Sequence, residues 1–296
     1  MFRLNLSERG NHMNDFVEKE VERYLRTGEY DQNFLQWPGD DFVARSTNQH
    51  TTLCNALISA VRQRTPNALV PDVLVGKDMT AHTRSKVAPM VSGLFQEGEV
   101  ETVLDVLARS VVFLTPDTIY TVLQEMPWLG TSWDLANLYL ASYAAEPLAG
   151  DAPELVGLSS ETTCYVSIDY FTDQTRFSDY VVHEAAHIFH NCKRETIGLP
   201  STRRKEWLLD IEYAKRETFA YSCEAYSRIL ELADGRAARR TLLSEIGDES
   251  PPDDRVDGSE YRDILREAVD ARNGWKRILA RCAPRPKNRS LAANAN

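Results

Sequence analysis

Ser178-Asp179-Tyr180-Val181-Val182-His183-Glu184-Ala185-Ala186-His187-Ile188-Phe189-His190-Asn191 is the stretch from which the rest of the chain is best read. Val181, Val182, Ala185, Ala186, Ile188 and Phe189 are apolar around most of a helix's girth. With Ser178 as the cap, the spacing predicts a buried helix over 179–191. His183 and His187 occupy the remaining stripe. At i and i+4 their imidazoles share one face, with Cβ atoms roughly 5–6 Å apart, close enough to hold a single ion. Glu184 lies one step around the helix, where its carboxylate reaches a water on that ion. Unpaired rings and a carboxylate inside an apolar helix would be costly, and one zinc ion satisfies both rings at once.

The segments just upstream have a different texture. Glu154-Leu155-Val156-Gly157-Leu158 and Cys164-Tyr165-Val166-Ser167-Ile168-Asp169-Tyr170-Phe171 are short and rich in β-branched and aromatic residues. Cys164, Val166, Ile168 and Tyr170 alternate with more polar neighbours, which predicts a half-buried strand. Before them the periodicity is helical. Asn14 starts a helix that Gly28 ends, and a second runs through Leu53, Leu57 and Val61 to Pro66. A third covers Val100 to Leu114, a fourth starts at Thr115-Pro116-Asp117, and a fifth is capped by Ser132. After the site helix, helix dominates again. An acidic loop spans Glu245 to Ser259, and a last helix runs from Tyr261 to Arg281. The expected class is α+β and predominantly helical, a single helix-rich domain over 14–282 with a small sheet. Within it 14–150 is a helical part, 151–233 holds the site helix and sheet, and 234–282 forms C-terminal helices. Residues 1–13 read as a loose arm and 283–296 as a disordered tail.

Composition narrows the function classes. The 296 residues carry a net charge of -10, and no long basic run offers the face a nucleic acid needs. No apolar stretch approaches the ~18 residues of a membrane span, and the first residues lack the apolar core of a secretory signal. Cys54, Cys164, Cys192, Cys223 and Cys282 are odd in number, scattered and never spaced Cys-x-x-Cys. They read as reduced thiols buried as small hydrophobes, in a cytoplasmic protein. No internal repeat supports a solenoid.

His183-Glu184-Ala185-Ala186-His187 resembles the metal-binding helix of the zincin superfamily of metallopeptidases, a likeness that covers about Leu155 to Leu230. The resemblance implies a zinc-dependent peptidase with a protein or peptide substrate. It also implies an edge strand just before the site helix that pairs with extended substrate, and Thr163 to Phe171 stands at that place. The metzincin continuation would put glycine at 190 and histidine at 193, where this chain has His190 and Lys193, so that branch is excluded. His190 lies seven residues past His183, about 10 Å along the axis, too far to join the same ion. It is expected beside the ligands or at the surface.

The remaining branch, the gluzincins, takes a glutamate from a downstream helix as the third ligand, and two glutamates compete. Glu206 follows His187 by nineteen positions, the gluzincin aminopeptidase spacing, and Glu206-x-x-x-Asp210 echoes the thermolysin-like ExxxD. Its neighbours Arg203, Arg204 and Lys205 give it the look of a solvated charge cluster. Glu217, in Glu217-Thr218-Phe219-Ala220-Tyr221, resembles the E-G-F-A stretch around the gluzincin ligand, with threonine in place of glycine and a longer insert. It opens a helix whose Ala220, Cys223 and Ala225 are small enough for close packing, and Glu217 is preferred. Tyr221 and Arg228 share its helix face, where either could stabilise an oxyanion, and the preferred readings are a core aromatic and a surface charge.

The expected protein is therefore a gluzincin-like peptidase with one zinc on His183, His187 and Glu217 and with Glu184 as general base. The aminopeptidase motif G-A-M-E-N is absent, which favours a specific endopeptidase. The alternative is a non-proteolytic zinc-binding module in which the same scaffold serves partner recognition. A closed fourth coordination position would mark that alternative, since structural zinc sites usually have four protein ligands.

Overall fold

Apolar residues recur mostly at three- and four-residue spacing, and the backbone follows them into helix. The computed structural model describes residues 6–152, 157–160, 162–171, 176–202, 205–247 and 250–284. In chain order these form α1 (Leu6–Thr27), α2 (Phe42–Arg64), α3 (Met79–Leu94), α4 (Glu97–Ser110) and β1 (Val111–Phe113). Next come α5 (Ile119–Glu125), α6 (Leu129–Ser142), β2 (Gly157–Ser160), β3 (Thr163–Val166) and α7 (Tyr180–Asn191). The rest is α8 (Arg216–Leu232), α9 (Gly235–Ile246), α10 (Gly258–Asp270) and α11 (Gly274–Cys282). The class is α+β and predominantly helical, as the periodicity led us to expect.

By their internal contacts the residues group into two compact units. One draws on residues 1–77, 112–160 and 165–173, the other on 78–111, 161–164 and 174–296. Periodicity says that a helix has an apolar face, not which distant helix covers it. The first unit packs α1, α2, α5 and α6 around Tyr24, Leu53, Leu57, Val61, Leu123, Leu135 and Tyr139. Two of its polar groups bond to main-chain carbonyls inside that core. The Tyr24 hydroxyl donates to the Leu129 carbonyl at 2.7 Å, and the Trp133 indole N–H donates to Leu25 at 3.0 Å. Gly28 ends α1 at φ +72°, where a Cβ would sit 3.0 Å from the Trp133 ring.

Several expected boundaries move, each for a local reason. Helix α1 begins at Leu6 instead of Asn14, so most of the expected loose arm is helical, while residues 1–5 lie outside the described residues. Ser132 is inside α6, its hydroxyl bonded back to the Trp128 carbonyl. The third helix stops at Ser110, because β-branched Val111 and Val112 with Phe113 enter a strand instead. The strand expected to reach Phe171 ends at Val166. There the Ser167 hydroxyl accepts the Asp169 N–H at 3.0 Å and turns the chain into a 3₁₀ segment over Ile168–Phe171. Residues 154–156 of the other expected strand lie outside the described residues, as do 285–296 of the expected tail.

The three strands pair in the order β1-β3-β2. Thus β3 is the middle strand, not the substrate-pairing edge strand that the resemblance implied. Both of its hydrogen-bonding sides are taken by chain neighbours, and the pairing to the β1 side continues with Leu114 N–H donating to the Val166 carbonyl at 3.0 Å.

The second unit carries the site helix. Its α3 escaped the periodicity reading because Pro89 sits within it, yet Val87, Met90, Val91 and Leu94 are buried and Asp78 caps its start. Gly93 lets the ring of Trp275 in α11 lie directly on the α3 backbone, where a Cβ would approach to 2.1 Å. The long last helix expected over 261–281 is two. Chain direction changes at Ala271, and Asn273 caps α11 by accepting the Lys276 N–H at 3.1 Å. All five cysteines are free and buried, as expected for small hydrophobes.

Candidate metal centre

Helix α7 is buried on Val181, Val182, Ala185, Ala186, Ile188 and Phe189, as its composition dictates. Its cap is Asp179, not Ser178: the Asp179 carboxylate accepts the Val182 N–H at 3.2 Å and pairs with Lys86 at 2.9 Å. Fixing the first turn fixes the direction of His183. Helix α8 approaches through a buried face rich in Ala220, Ser222, Cys223 and Ala225. On it Glu217, Tyr221 and Glu224, at i, i+4 and i+7, form one stripe that faces the histidines.

The ligand atoms converge. His183 Nε2 and His187 Nε2 are 3.3 Å apart. Glu217 Oε2 lies 3.7 Å from the first and 3.5 Å from the second. His183, His187 and Glu217 are thus a group that could hold a metal ion. A tetrahedral zinc with ligands at about 2.0–2.1 Å would place them about 3.3–3.4 Å from one another, so the triangle already has nearly the required size. Glu206 takes no part. It is more than half exposed and pairs with Lys193 at 2.8 Å, while its neighbours Arg203 and Arg204 lie outside the described residues.

Glu224 was not foreseen, although its position seven residues after Glu217 on the same helix was a usable signal. Its Oε2 is 3.0 Å from His183 Nδ1, and its Oε1 accepts the Asp179 N–H at 2.7 Å. With Nδ1–H donating to Glu224, Nε2 of His183 is the nitrogen turned towards His187 and Glu217, and it becomes an acceptor for an ion once its proton is displaced. One carboxylate therefore ties the start of α7 to the tautomer that a metal needs. Glu224→Gln is expected to weaken zinc affinity by about 10- to 100-fold without abolishing it, the usual cost of losing an orienting partner. Chelator competition measures this, and unchanged affinity would show that Glu224 only packs.

Electrostatics point the same way. Burial opposes protonation of His183, but hydrogen bonding to Glu217 and Glu224 and the charge of Glu224 outweigh it and carry its pKa up to about 10. Burial likewise opposes ionisation of Glu217, yet the two histidines hold its carboxyl well below the usual range. The cluster calls for a cation, and without a metal the imidazole must supply it as a proton.

Two further groups reach the ligands. The Tyr221 ring meets His183 edge-on at 4.4 Å between centroids. Arg255, from the acidic loop, lies 3.2 Å from Glu217 Oε1 and pairs with Asp253 at 2.6 Å, so only Oε2 of Glu217 faces the histidines closely. Nothing in the sequence marked this arginine, since it is brought back by a loop without periodicity. Arg228 points elsewhere, to Glu231 and the Arg176 carbonyl. His190 is 5% exposed, its ring centroid 5.3 Å from that of His187. It stands beside the ligands, outside their group. Burial, with His187 and Arg216 nearby, pushes its pKa down to about 3.

Glu217→Gln is expected to weaken zinc binding by more than about 100-fold, beyond the range for an outer partner. Glu206→Gln should leave it nearly unchanged, since an exposed ion pair contributes only about 0–1 kcal/mol. The reverse ranking in competitive chelation would move the third ligand to Glu206. No family model, curated protein or solved structure matches the chain.

Proposed function

We propose that this protein is a zinc-dependent peptidase, with His183, His187 and Glu217 holding the ion and Glu184 acting as general base. The observation that carries this reading is the triangle of His183 Nε2, His187 Nε2 and Glu217 Oε2, sized for one ion, with Glu184 next to His183 on the same buried helix. A zinc ion bound there lowers the pKa of a water and polarises a carbonyl. Glu184 takes the proton of the attacking water and delivers it to the leaving amine, which spares the reaction a charged amide leaving group. The Cys164 thiol donates to the Glu184 carbonyl at 3.1 Å, which helps fix the backbone from which this carboxylate projects. Glu224 sets the His183 ring, and Arg255 restrains Glu217.

The reading as a structural zinc module is less favoured. Among the described residues the ligand group has three members, and neither His190 nor Cys192 supplies a fourth. A three-ligand group leaves a position for water, which is the arrangement of catalytic zinc. Metal content by mass spectrometry, together with a cleavage screen of cell lysate, tests both parts of the proposal. Absence of zinc after loading, or zinc without any hydrolysis, sinks it.

A further inference from the structure

Next to His190 and Arg216 lies a pocket of about 480 Å³ that the mechanism does not use and that none of the three proposed ligands lines. It falls within the volume range of small-ligand sites, roughly 300–1,000 Å³. Trp207, Leu209 and Ile211 give it apolar walls, and His190, Asp210 and Arg216 give it polar ones. The wall is held firmly. Leu208 N–H donates to the Cys192 carbonyl at 3.0 Å, Leu209 N–H to Phe189 at 2.9 Å, and Glu212 N–H to Cys282 at 2.9 Å. These bonds fasten the 207–212 segment to the ends of α7 and α11.

The polar groups of this pocket are incompletely used. Arg216 forms no ion pair among the described residues. Its charged contact is with the Tyr213 ring at 5.0 Å, and its Nε is buried without a hydrogen-bond partner. His190 is equally short of partners: its Nδ1 is buried with none, in a side chain that is 5% exposed. Asp210 does not neutralise Arg216, for its charged neighbours are Glu206, Arg194 and Lys205. Buried polar atoms are rarely left unpaired, so two at one pocket mark a place where a ligand group completes the bonding. A guanidinium with a ring N–H beside it suits a carboxylate, which accepts two such bonds in one plane.

Position links the pocket to the reaction. Arg216 immediately precedes the ligand Glu217, and His190 packs against His187. We infer that this pocket is a carboxylate-binding subsite that seats the residue next to the scissile bond, with Arg216 as its cation and His190 as its second donor. The carboxylate is either an acidic side chain or a free C-terminus, and the substrate role rests on the peptidase reading above.

The test measures binding to the zinc-loaded full-length protein through Trp207 fluorescence, with Trp207→Phe identifying the signal. Four probes separate the sources: N-acetyl-glutamate α-amide, its neutral glutamine counterpart, N-acetyl-phenylalanine, and its amide. At least one carboxylate probe is expected to bind about 10- to 100-fold more tightly than its neutral partner, the range for a charge-assisted hydrogen bond. Preference for the first acid assigns a side chain, and preference for the second assigns a C-terminus. Arg216→Gln should erase the preference at unchanged zinc content, while Arg216→Lys, which keeps the charge, retains part of it. Equal binding within both pairs, or a preference that survives in Arg216→Gln, overturns the subsite. A preference that depends on Arg216 in a protein that cleaves no peptide supports the pocket and overturns the peptidase reading alone.

Discussion

Glu184→Gln is expected to lower peptide hydrolysis by about 10²- to 10⁴-fold while the protein keeps one zinc per chain. The amide has the size and shape of the carboxylate but cannot take a proton from water at neutral pH. The residue is 7% exposed between the buried apolar positions Val182 and Ala185, and a same-shaped substitute fits the space it occupies. Because Glu184 is outside the ligand group, metal content should not follow activity. The loss should appear in kcat with KM little changed, the pattern of an interaction made only in the transition state. A peptide from the lysate screen supplies the assay. If the variant cuts that peptide at the wild-type rate with zinc bound, Glu184 is not the base, and hydrolysis by this route is wrong.

Replacing His183 and His187 together with alanine is expected to take zinc from one ion per chain to none. Two of three ligand atoms disappear, and a lone Glu217 cannot compete with water for the ion. Zinc bound only by the folded state adds stability by mass action, so wild-type thermal stability should rise with added zinc and that of the double variant should not. The pH dependence has a definite sign. In the metal-free protein the folded pKa of His183 is raised from 6.5 to about 10. Its imidazolium pairing with Glu217 and Glu224 therefore stabilises the fold fully below pH 6.5 and is lost as pH climbs through about 10. Zinc must expel that proton, so affinity should increase with pH across this window, and loading at pH 7.5 should release roughly one proton per zinc. Calorimetry in buffers of different ionisation enthalpy counts it. Stoichiometric zinc in the double variant would remove the assignment altogether.

The site helix was legible in the sequence because its information is local. Six apolar residues and two histidines at i and i+4 specify burial and a shared face whatever surrounds them. That Glu217 and not Glu206 meets the histidines was legible too, since small residues after Glu217 and charged ones before Glu206 report packing and solvation directly. Helix α3 was not, because Pro89 breaks the rule of thumb while tertiary burial of Val87, Met90 and Leu94 offsets the lost hydrogen bond.

What the sequence alone determined, then, is a helical α+β chain with two histidines on one helix face at 183–187, both consequences of short-range periodicity. Only the tertiary structure decided that Glu224 orients His183, that Arg255 returns from a loop to Glu217, and that β3 is an inner strand. Each depends on which element lies beside which, and residues 41 or 38 positions apart meet only because helices and loops close long stretches of chain. Periodicity fixes which side of an element is buried, whereas the partner across that side is chosen by the packing of the whole unit.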